Sequence, residues 1–325
     1  MNNVLVGTHL ITTGFLVLLT LLPLVPSNHW IVRVWEFPRL QILFLILLNS
    51  IFGVFLLDSV VNMSLLVVNI ACFVYQARWV IPYTVLWPKE SASSGKDNSN
   101  KSIKILTSNV LMPNRSADKL ITLIDRHKPD VVVTLETDTW WQEALESLHD
   151  VYEYSLAIPQ DNLYGMHVYS SLPIKDPAIY YLIQEGIPSI SCEIMLDDNT
   201  PIKCFFVHPA PPSPTENEYS TSRDKELLLI ANVVEPEHIP TIVTGDLNDV
   251  AWSPTTRAFR KVSGLQDPRI GRGFFNTFHA DYKCLRWPLD HIFHSDHFAV
   301  LSIHRLPSID SDHFPLLSEL ILKSK

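Results

Sequence analysis

Three long stretches without a charged side chain dominate the first 87 residues and limit how this part of the chain can fold. They run over residues 4–25, 40–57 and 59–77, and only Asp58 separates the last two. A helix rises about 1.5 Å per residue, so about 20 apolar residues cross the roughly 30 Å hydrocarbon core of a bilayer. We therefore predict a membrane anchor over residues 1–87 with three transmembrane helices, the last two turning near Asp58 and Asn62.

A cleaved signal peptide or a buried helix of a soluble domain are the other interpretations of the first stretch. A signal peptide has a basic amino-terminal region and a small-residue cleavage site. The first three residues carry no side-chain charge and residues 23–27 contain no Ala-x-Ala pattern, and a signal peptide leaves the other two stretches unexplained. Aromatic residues that favour the membrane interface lie near the ends of the stretches. These are Trp30, Trp35, Trp79, Tyr83 and Trp87.

Arginine residues bear on which side of the membrane the rest of the chain occupies. Arg33 and Arg39 fall in the first predicted loop and Arg78 follows the third stretch, whereas the second loop has no basic residue. The positive-inside rule then places the large domain in the cytoplasm. Three arginines are a small sample, so the sequence leaves the side of the membrane open.

The remainder of the chain is strongly acidic. The chain has 25 basic and 34 acidic residues. Residues 1–87 contain only three basic and two acidic residues, which leaves 22 basic and 32 acidic residues elsewhere. Proteins that bind nucleic acid through its phosphates present a basic surface. A net charge of −10 without a basic run therefore disfavours a nucleic-acid partner, although metal ions can screen a cleft.

Residues 88–102 are polar and predict a linker, and residues 103–325 predict a soluble domain. Short apolar runs indicate strands over 103–110, 131–136, 241–245, 289–294, 298–304 and 316–321, and residues 165–208 predict consecutive strands that include 190–196 and 202–207. Helices are predicted after a Ser116 cap, over 140–149 and over 222–235. Strands with a few intervening helices indicate an α/β or α+β sandwich.

Two of the four cysteines flank a predicted turn at residues 197–200. Cys192 and Cys204 would lie opposite each other on such a hairpin, which permits a disulfide. The odd number of cysteines outside the predicted spans favours free, buried thiols instead.

Polar residues stand at or near the ends of most of the predicted strands, where surface loops can bring side chains together on one ligand. These residues are Asn109, Glu136, His208, Asp246, Asn248, Asp290, Asp312 and His313. Carboxylates and amides suit a hard cation such as Mg²⁺ or Mn²⁺, and no CxxC or HExxH pattern supports zinc. A divalent cation beside two histidines and several carboxylates predicts a hydrolytic site for phosphate esters.

The ordered set of motifs around these residues resembles the endonuclease/exonuclease/phosphatase superfamily, which has the deoxyribonuclease I-like fold. The matching segments are 107–110 (TSNV), 134–137 (TLET), 164–173 (YGMHVYSSLP), 245–248 (GDLN), 289–292 (LDHI) and 311–315 (SDHFP), together with His208. Ser171 stands where the family usually has an arginine. The resemblance implies a four-layer sandwich of two packed mixed β-sheets flanked by helices, here preceded by three transmembrane helices, and metal-dependent phosphoester hydrolysis.

The resemblance also implies which residues bind the metal and the attacking water. Glu136 would be the principal ligand of Mg²⁺ or Mn²⁺, with Asn109 and Asp312 nearby. Asp246 and Asn248 would orient or deprotonate the water. Whether one or two metal ions act stays open.

Two histidines complete the implied catalytic set. Asp290 would hold His313 in its useful tautomer, and His208 would face the phosphate or the leaving group. Whether Asp246 or His313 is the general base stays open. Segment 295–298 repeats the letters SDHF, but Ala299 replaces the expected proline, so we predict that Asp296 and His297 form a solvated turn.

Three further residues are candidates for substrate binding. Arg223 begins a predicted helix after His208 and would meet an anionic substrate, with a surface salt bridge as the alternative. Trp252 and Ser253 follow the GDLN segment and resemble a family loop near the site, with core packing as the alternative.

The anchor bears on the substrate, because it holds the site near the bilayer and raises the local concentration of lipid-linked molecules. A branch of the superfamily with several amino-terminal spans, including glycopeptide-resistance membrane proteins, resembles this arrangement and implies the bacterial cytoplasmic (inner) membrane, with an outward-facing site. We expect a lipid bilayer as partner, no evident protein partner, and a lipid-linked phosphate or diphosphate as substrate. The alternatives are a nuclease and a non-catalytic module that kept the fold.

Overall fold

A computed structural model describes residues 2–56, 60–94, 101–234 and 238–323. Within these ranges the chain forms eight α-helices and eleven β-strands. The helices are α1 (Asn2–Leu21), α2 (Trp30–Arg33), α3 (Arg39–Val54), α4 (Val60–Val80), α5 (Ala117–His127), α6 (Thr139–Ala144), α7 (Thr221–Val233) and α8 (Pro254–Ser263). The strands are β1 (Ser102–Asn109), β2 (Val131–Leu135), β3 (Tyr154–Ile158), β4 (Met166–Ser170), β5 (Ile174–Tyr180), β6 (Ser189–Asp197), β7 (Thr200–Val207), β8 (Thr241–Asp246), β9 (Asp290–His294), β10 (Phe298–Arg305) and β11 (Leu316–Leu322).

The strands form two mixed sheets. One has the order β10-β11-β1-β2-β4-β3 and the other the order β5-β6-β7-β8-β9. The pairs β1–β2 and β7–β8 are parallel, and the other neighbouring pairs are antiparallel. Cys192 and Cys204 are directly opposite on β6 and β7 as free, buried thiols, as predicted.

Alternating side chains along each strand build the layers, because successive residues of a strand point to opposite faces. Val131 and Val133 pack into the core between the sheets, whereas Val132 packs under α5. Cys204 and Phe206 likewise enter the central core, and helices α7 and α8 cover the outer face of the second sheet. The structure therefore confirms the predicted four-layer sandwich.

Two elements of the sandwich were not predicted, namely β3 and α8. Helix α8 has the usual signals at its ends: Ser253 accepts a hydrogen bond from the Thr256 amide, Pro254 occupies the first turn, and Gly264 ends the helix at φ +69°. Ser116 does precede α5, but its hydroxyl donates to Asp310 and does not cap the helix.

In the described part of the predicted anchor, two helices are long and apolar enough to cross a membrane, over residues 3–24 and 60–83. Helix α3 and the preceding residues 30–36 form a pair bent by 68°, which counts as a third span only if the pair is taken as one. Asp58 of the predicted turn lies outside the described residues, while Asn62 bonds the Leu56 carbonyl across the connection.

The anchor helices bury polar side chains beside a small apolar cluster, and large apolar side chains cover their outer faces. Asn49 and Asn69 are buried between the helices and hydrogen bond to each other at 3.2 Å, and both donate to Thr13 at 2.9 Å. Phe15 and Val67 are among many large apolar side chains that face outward. Polar contacts between helices and apolar outer faces suit a lipid environment.

Residues 88–94, the first part of the predicted linker, are not extended between two domains but are packed on the sandwich. Glu90 accepts a hydrogen bond from the Asp267 amide at 2.8 Å, and the Ser91 hydroxyl lies 2.9 Å from Nε2 of His294. Residues 95–100 lie outside the described part of the chain.

Candidate active site

The candidate site forms where the two sheets meet at one end of the sandwich. Thr107 on β1 and Thr244 on β8 link the sheets through their hydroxyls at 2.8 Å. Two residues further along each strand, Nδ2 of Asn109 donates to Oδ2 of Asp246 at 3.2 Å. The polar strand ends predicted from the sequence therefore meet across the sandwich.

Asn109 also contacts Glu136, which follows the neighbouring strand β2 at φ +61°. Its amide nitrogen donates to Oε1 of Glu136 at 2.7 Å, and its amide oxygen accepts from the Leu111 backbone at 3.0 Å. Asn109 thus presents a hydrogen-bond donor to the two carboxylates. The role of Asn109 beside the metal stays a prediction.

The turn after β8 fixes the Asp246 carboxylate. Oδ1 of Asp246 accepts a hydrogen bond from the Asn248 amide at 2.8 Å, and Nδ2 of Asn248 donates to the Pro209 carbonyl at 3.1 Å. Gly245 has φ +150°, and an added Cβ would lie 1.8 Å from the Val207 carbonyl oxygen, so only glycine fits beside β7.

His313 lies between two aspartates. Its Nδ1 is 2.8 Å from Oδ2 of Asp290, and its Nε2 is 3.5 Å from Oδ2 of Asp246. Burial alone lowers the pKa of His313, but Asp290 and Asp246 outweigh it and raise the pKa to about 10. The Phe278 ring packs on the imidazole at 4.9 Å. At neutral pH His313 is therefore an imidazolium that the two aspartates hold in place.

His208 is the second buried histidine, and it stays neutral. Its Nε2 is 3.9 Å from Oδ2 of Asp246, yet burial lowers the pKa of His208 to about 4. Its Nδ1 is buried without a hydrogen-bond partner, and its ring packs against Tyr164 at 5.2 Å. A neutral histidine with an unsatisfied ring nitrogen suits contact with a bound ligand.

Two carboxylates of the site differ in their proton affinity. Burial raises the pKa of Glu136 to about 7, and the charges of Asp312 and Asp246 add to this effect. For Asp246 burial also raises the pKa, but the His313 cation and the hydrogen bonds from Asn248 and Asn109 outweigh it, so its pKa lies below the usual value. Asp246 is thus ionised at neutral pH, while Glu136 is poised near its midpoint.

Comparison with known proteins identifies the family. The model of the Endonuclease/Exonuclease/phosphatase family matches residues 106–313, more than half of the chain. The chain belongs to this family. No curated protein sequence matches it.

Solved structures of this family share the fold at low sequence identity. A Beutenbergia cavernae endonuclease/exonuclease/phosphatase is 15% identical with a TM-score of 0.56 and covers 68% of this chain and 72% of its own. A Bacteroides thetaiotaomicron family protein is 20% identical with a TM-score of 0.52, over 69% and 98% of the two chains. Humanized D. rerio TDP2 is 15% identical with a TM-score of 0.54, and the match covers 67% of this chain and 98% of the TDP2 chain.

Family members are generally phosphoester hydrolases that depend on a divalent metal, and the donor set of this site fits such an ion. Glu136 and Asp312 supply carboxylates, and Oδ1 of Asp290 is buried without a partner. Asp246, Asp290 and His313 also place one potential ligand atom each within 4.8 Å of one another, but these atoms already contact one another. Glu136 and Asp312 are the carboxylates that we expect to hold the metal. Oxygen donors of this kind suit Mg²⁺ or Mn²⁺.

Arg223, expected to meet the substrate, is only 1% exposed. Its guanidinium donates to the Asn248 carbonyl at 2.7 Å and to Asp224, and it lies 3.4 Å from Asp249. Arg223 therefore holds the turn that carries Asp246 and Asn248 from behind and does not face the cleft.

Trp252 and Ser253, the other two expected substrate contacts, are also buried away from the cleft. Nε1 of Trp252 donates to the Glu36 carbonyl of the anchor at 2.7 Å. The Ser253 hydroxyl donates to Asp249 and caps helix α8. Both residues therefore pack in the interior beside the turn that follows β8. Core packing was the alternative interpretation for Trp252 and Ser253.

The repeated SDHF segment is outside the site, as predicted. Asp296 is exposed and pairs with Lys323 at 2.6 Å, and His297 contacts the Ser295 hydroxyl. Sequence reasoning missed Phe278, which no motif marks, and did not assign Tyr164 a role, although Tyr164 opens a family-like segment.

Proposed function

We propose that this chain is a membrane-anchored, divalent-metal-dependent phosphoesterase that hydrolyses a lipid-linked phosphate ester or diphosphate. The observation that carries the proposal is that both walls of the candidate site rest on the same anchor segment, residues 28–37. We infer that the site opens beside the anchor, where a substrate held in the bilayer would present its phosphate.

The wall next to His313 reaches the anchor through three aromatic rings. Phe278 contacts His313 and stacks on Trp287 at 6.3 Å, and Trp287 meets Phe37 of the anchor at 5.8 Å. Tyr282 and Leu285 in the same loop are exposed, and Gln41 of α3 donates to the Cys284 carbonyl at 2.9 Å. This loop thus supports a lipid-facing rim.

The wall next to His208 reaches the anchor through residues 209–220. Tyr164, which packs on His208, donates to Glu216 in this segment. The Trp30 amide donates to the Glu218 carbonyl at 2.9 Å, and Tyr219 packs edge-on against His29 at 5.3 Å.

These contacts also constrain the topology of an anchor that crosses the bilayer. Residues 28–37 contact the catalytic domain, so both lie on the same side of the membrane. Helices α3 and α4 then leave and return, and the amino terminus of α1 lies on the opposite side. We place this protein in the bacterial cytoplasmic membrane on the resemblance of its layout.

The geometry supports a separate role in hydrolysis for Asp246 and for His313. Asp246, ionised and held by Asn109 and Asn248, orients the attacking water and accepts its proton. His313, held as a cation by Asp290, stabilises the charge that develops on the phosphoryl oxygens. The divalent cation, when bound, withdraws charge from the same phosphate.

A nuclease is the second candidate, since a D. rerio TDP2 structure of similar fold is described as complexed with a single-strand DNA product. The net charge of −10 outside the first 87 residues argues against it, because a polyanion is repelled by an acidic surface. The complete polar set of the site argues against a non-catalytic module.

The test is hydrolysis by the purified full chain in detergent micelles with Mg²⁺, with and without chelator. We expect phosphate release from a polyprenyl diphosphate or cleavage of a phospholipid, slower turnover of a short water-soluble diphosphate ester, and no reaction after chelation. Cleavage of single-stranded or duplex DNA at physiological salt, with none of the lipid substrates, would overturn the proposal.

A further inference from the structure

A second cavity, separate from the candidate active site, lies where the carboxyl end of α4 meets α8. It has a volume of about 470 Å³, and its walls include Arg78, Trp79, Trp87, Arg257 and Arg260. None of the candidate catalytic residues lines it. The cavity therefore lies between the anchor and the catalytic domain.

The charge of this cavity is positive. Arg78 and Arg257 have no carboxylate within ion-pair distance in the described part of the chain, and their guanidinium carbons lie 4.6 Å and 4.3 Å from the centre of the Trp79 ring. Arg260 is paired with Glu90. Two arginines are therefore available to an anion.

Unsatisfied donors point to the same kind of ligand. Nε1 of Trp79 and Nε of Arg260 are buried and have no hydrogen-bond partner. Buried donors are nearly always paired, with protein, water or ligand. Together with the guanidiniums of Arg78 and Arg257, these donors make the residues around the cavity complementary to a group rich in oxygen and negative charge.

The cavity lies at the end of a candidate membrane span, which is the depth expected of lipid headgroups. Arg78 lies in the last turn of α4, a helix long enough to cross a membrane, and Trp79 and Trp87 mark the same end. Val85 and Leu86 beside them are exposed and apolar, which suits contact with acyl chains. Tryptophan and arginine are typical of this depth in membrane proteins.

We propose that this cavity binds the phosphate of an anionic phospholipid headgroup. Arginine forks match phosphate oxygens in a bidentate way. A zwitterionic choline headgroup fits less well, because its positive charge would be repelled by Arg78 and Arg257. The Trp79 ring does not offer choline a free aromatic face, because the guanidiniums of Arg39, Arg78 and Arg257 already contact it. The bound lipid tethers the catalytic domain to the bilayer surface at a point away from the active site.

The experiment measures thermal unfolding of the full chain in detergent as short-chain phosphatidylglycerol, short-chain phosphatidylcholine or inorganic phosphate is added. We expect phosphatidylglycerol to raise the unfolding temperature in a saturable way, and the other two to have little effect. The double variant Arg78→Gln/Arg257→Gln should bind phosphatidylglycerol about tenfold more weakly, the loss expected for charged hydrogen bonds. The matched control Arg126→Gln/Lys128→Gln removes two exposed cations at the carboxyl end of α5 and should bind like the native chain.

A variant that is less stable without lipid remains informative, because the lipid-induced shift is compared within each variant. Arg78→Lys/Arg257→Lys keeps the charges and should retain part of the binding. Equal shifts with phosphatidylcholine, or binding of inorganic phosphate without the lipid, would overturn the assignment, as would unchanged binding in the glutamine variant. The readout needs no turnover, so its failure is distinct from failure of the proposed function.

Discussion

His313 donates from Nδ1 to Oδ2 of Asp290 over 2.8 Å while its Nε2 faces Oδ2 of Asp246 at 3.5 Å. The imidazole therefore bridges an aspartate at the start of β9 and an aspartate at the end of β8. This arrangement favours a cationic His313 and an ionised Asp246. Asp246 is then the better candidate for the general base, a choice that the motifs alone left open.

Replacing Asp290 by asparagine should impair catalysis without unfolding the protein. Asp290→Asn removes the charge that holds His313 as a cation and in one orientation, so we expect turnover to fall by about 10² to 10⁴. Phosphate release and circular dichroism measure the two effects. Asp296→Asn, at the exposed position of the repeated SDHF segment, is the matched control and should behave as the native chain. Equal losses in both variants would contradict the assigned role of Asp290.

The contribution of His313 to stability should depend on alkaline pH. Its folded pKa of about 10 lies above the unfolded value of about 6.5. The stabilisation is therefore complete below pH 6.5 and is lost as pH rises towards 10. Denaturant unfolding of the native chain and of His313→Gln should show a difference in unfolding free energy that shrinks between pH 6 and pH 10. A difference that is constant with pH would show that His313 is not held as a cation.

Metal binding should weaken in mild acid because Glu136 must lose its proton to act as a ligand. With a pKa of about 7, Glu136 makes the apparent affinity for Mn²⁺ fall about tenfold per pH unit below neutrality. Calorimetric titration measures this slope, and Glu136→Gln should abolish tight binding.

The control for this titration is Glu226→Gln on α7. Glu226 is also a buried carboxyl with a pKa raised to about 7 by burial, but its partner is Ser189 and it lies outside the site. Its variant should bind Mn²⁺ with native affinity and native pH dependence. Loss of binding in this variant as well would indicate a general structural effect and would contradict the role of Glu136.

Trp252 should be important for the stability of the junction between anchor and catalytic domain. It is 2% exposed, donates to the Glu36 carbonyl and packs edge-on against Tyr83. We expect Trp252→Ala to lower the unfolding free energy by about 3–5 kcal/mol, as for other buried aromatic residues. Trp140→Ala, at a ring that is 36% exposed, should cost much less in the same denaturant titration. Equal costs would show that the junction does not depend on Trp252.

The sequence predicted most of the site because its motifs lie at strand ends, and strand order brings such ends together. Asn109, Asp246, Asp290 and His313 meet as expected for that reason. The roles expected for Arg223 and Trp252 were wrong because burial depends on contacts between distant parts of the chain. Trp252 bonds Glu36 more than 200 residues away, and nothing near either residue marks that pairing.

Two parts of the fold escaped prediction for different physical reasons. Strand β3 is an edge strand that is half-exposed, so its residues lack the apolar run of a buried strand. Phe278 lies in an irregular loop, and its position over His313 follows from the packing of Trp287 on the anchor. The position of Phe278 leaves no periodic pattern in the sequence.

The most direct test of the central claim is hydrolysis of a lipid-linked diphosphate by the full chain reconstituted in liposomes with Mg²⁺. The native protein and His297→Ala, a variant of the half-buried histidine of the repeated motif, should release phosphate at similar rates. His313→Ala should be slower by about 10² or more while keeping its fold. Undiminished turnover in His313→Ala would contradict the account.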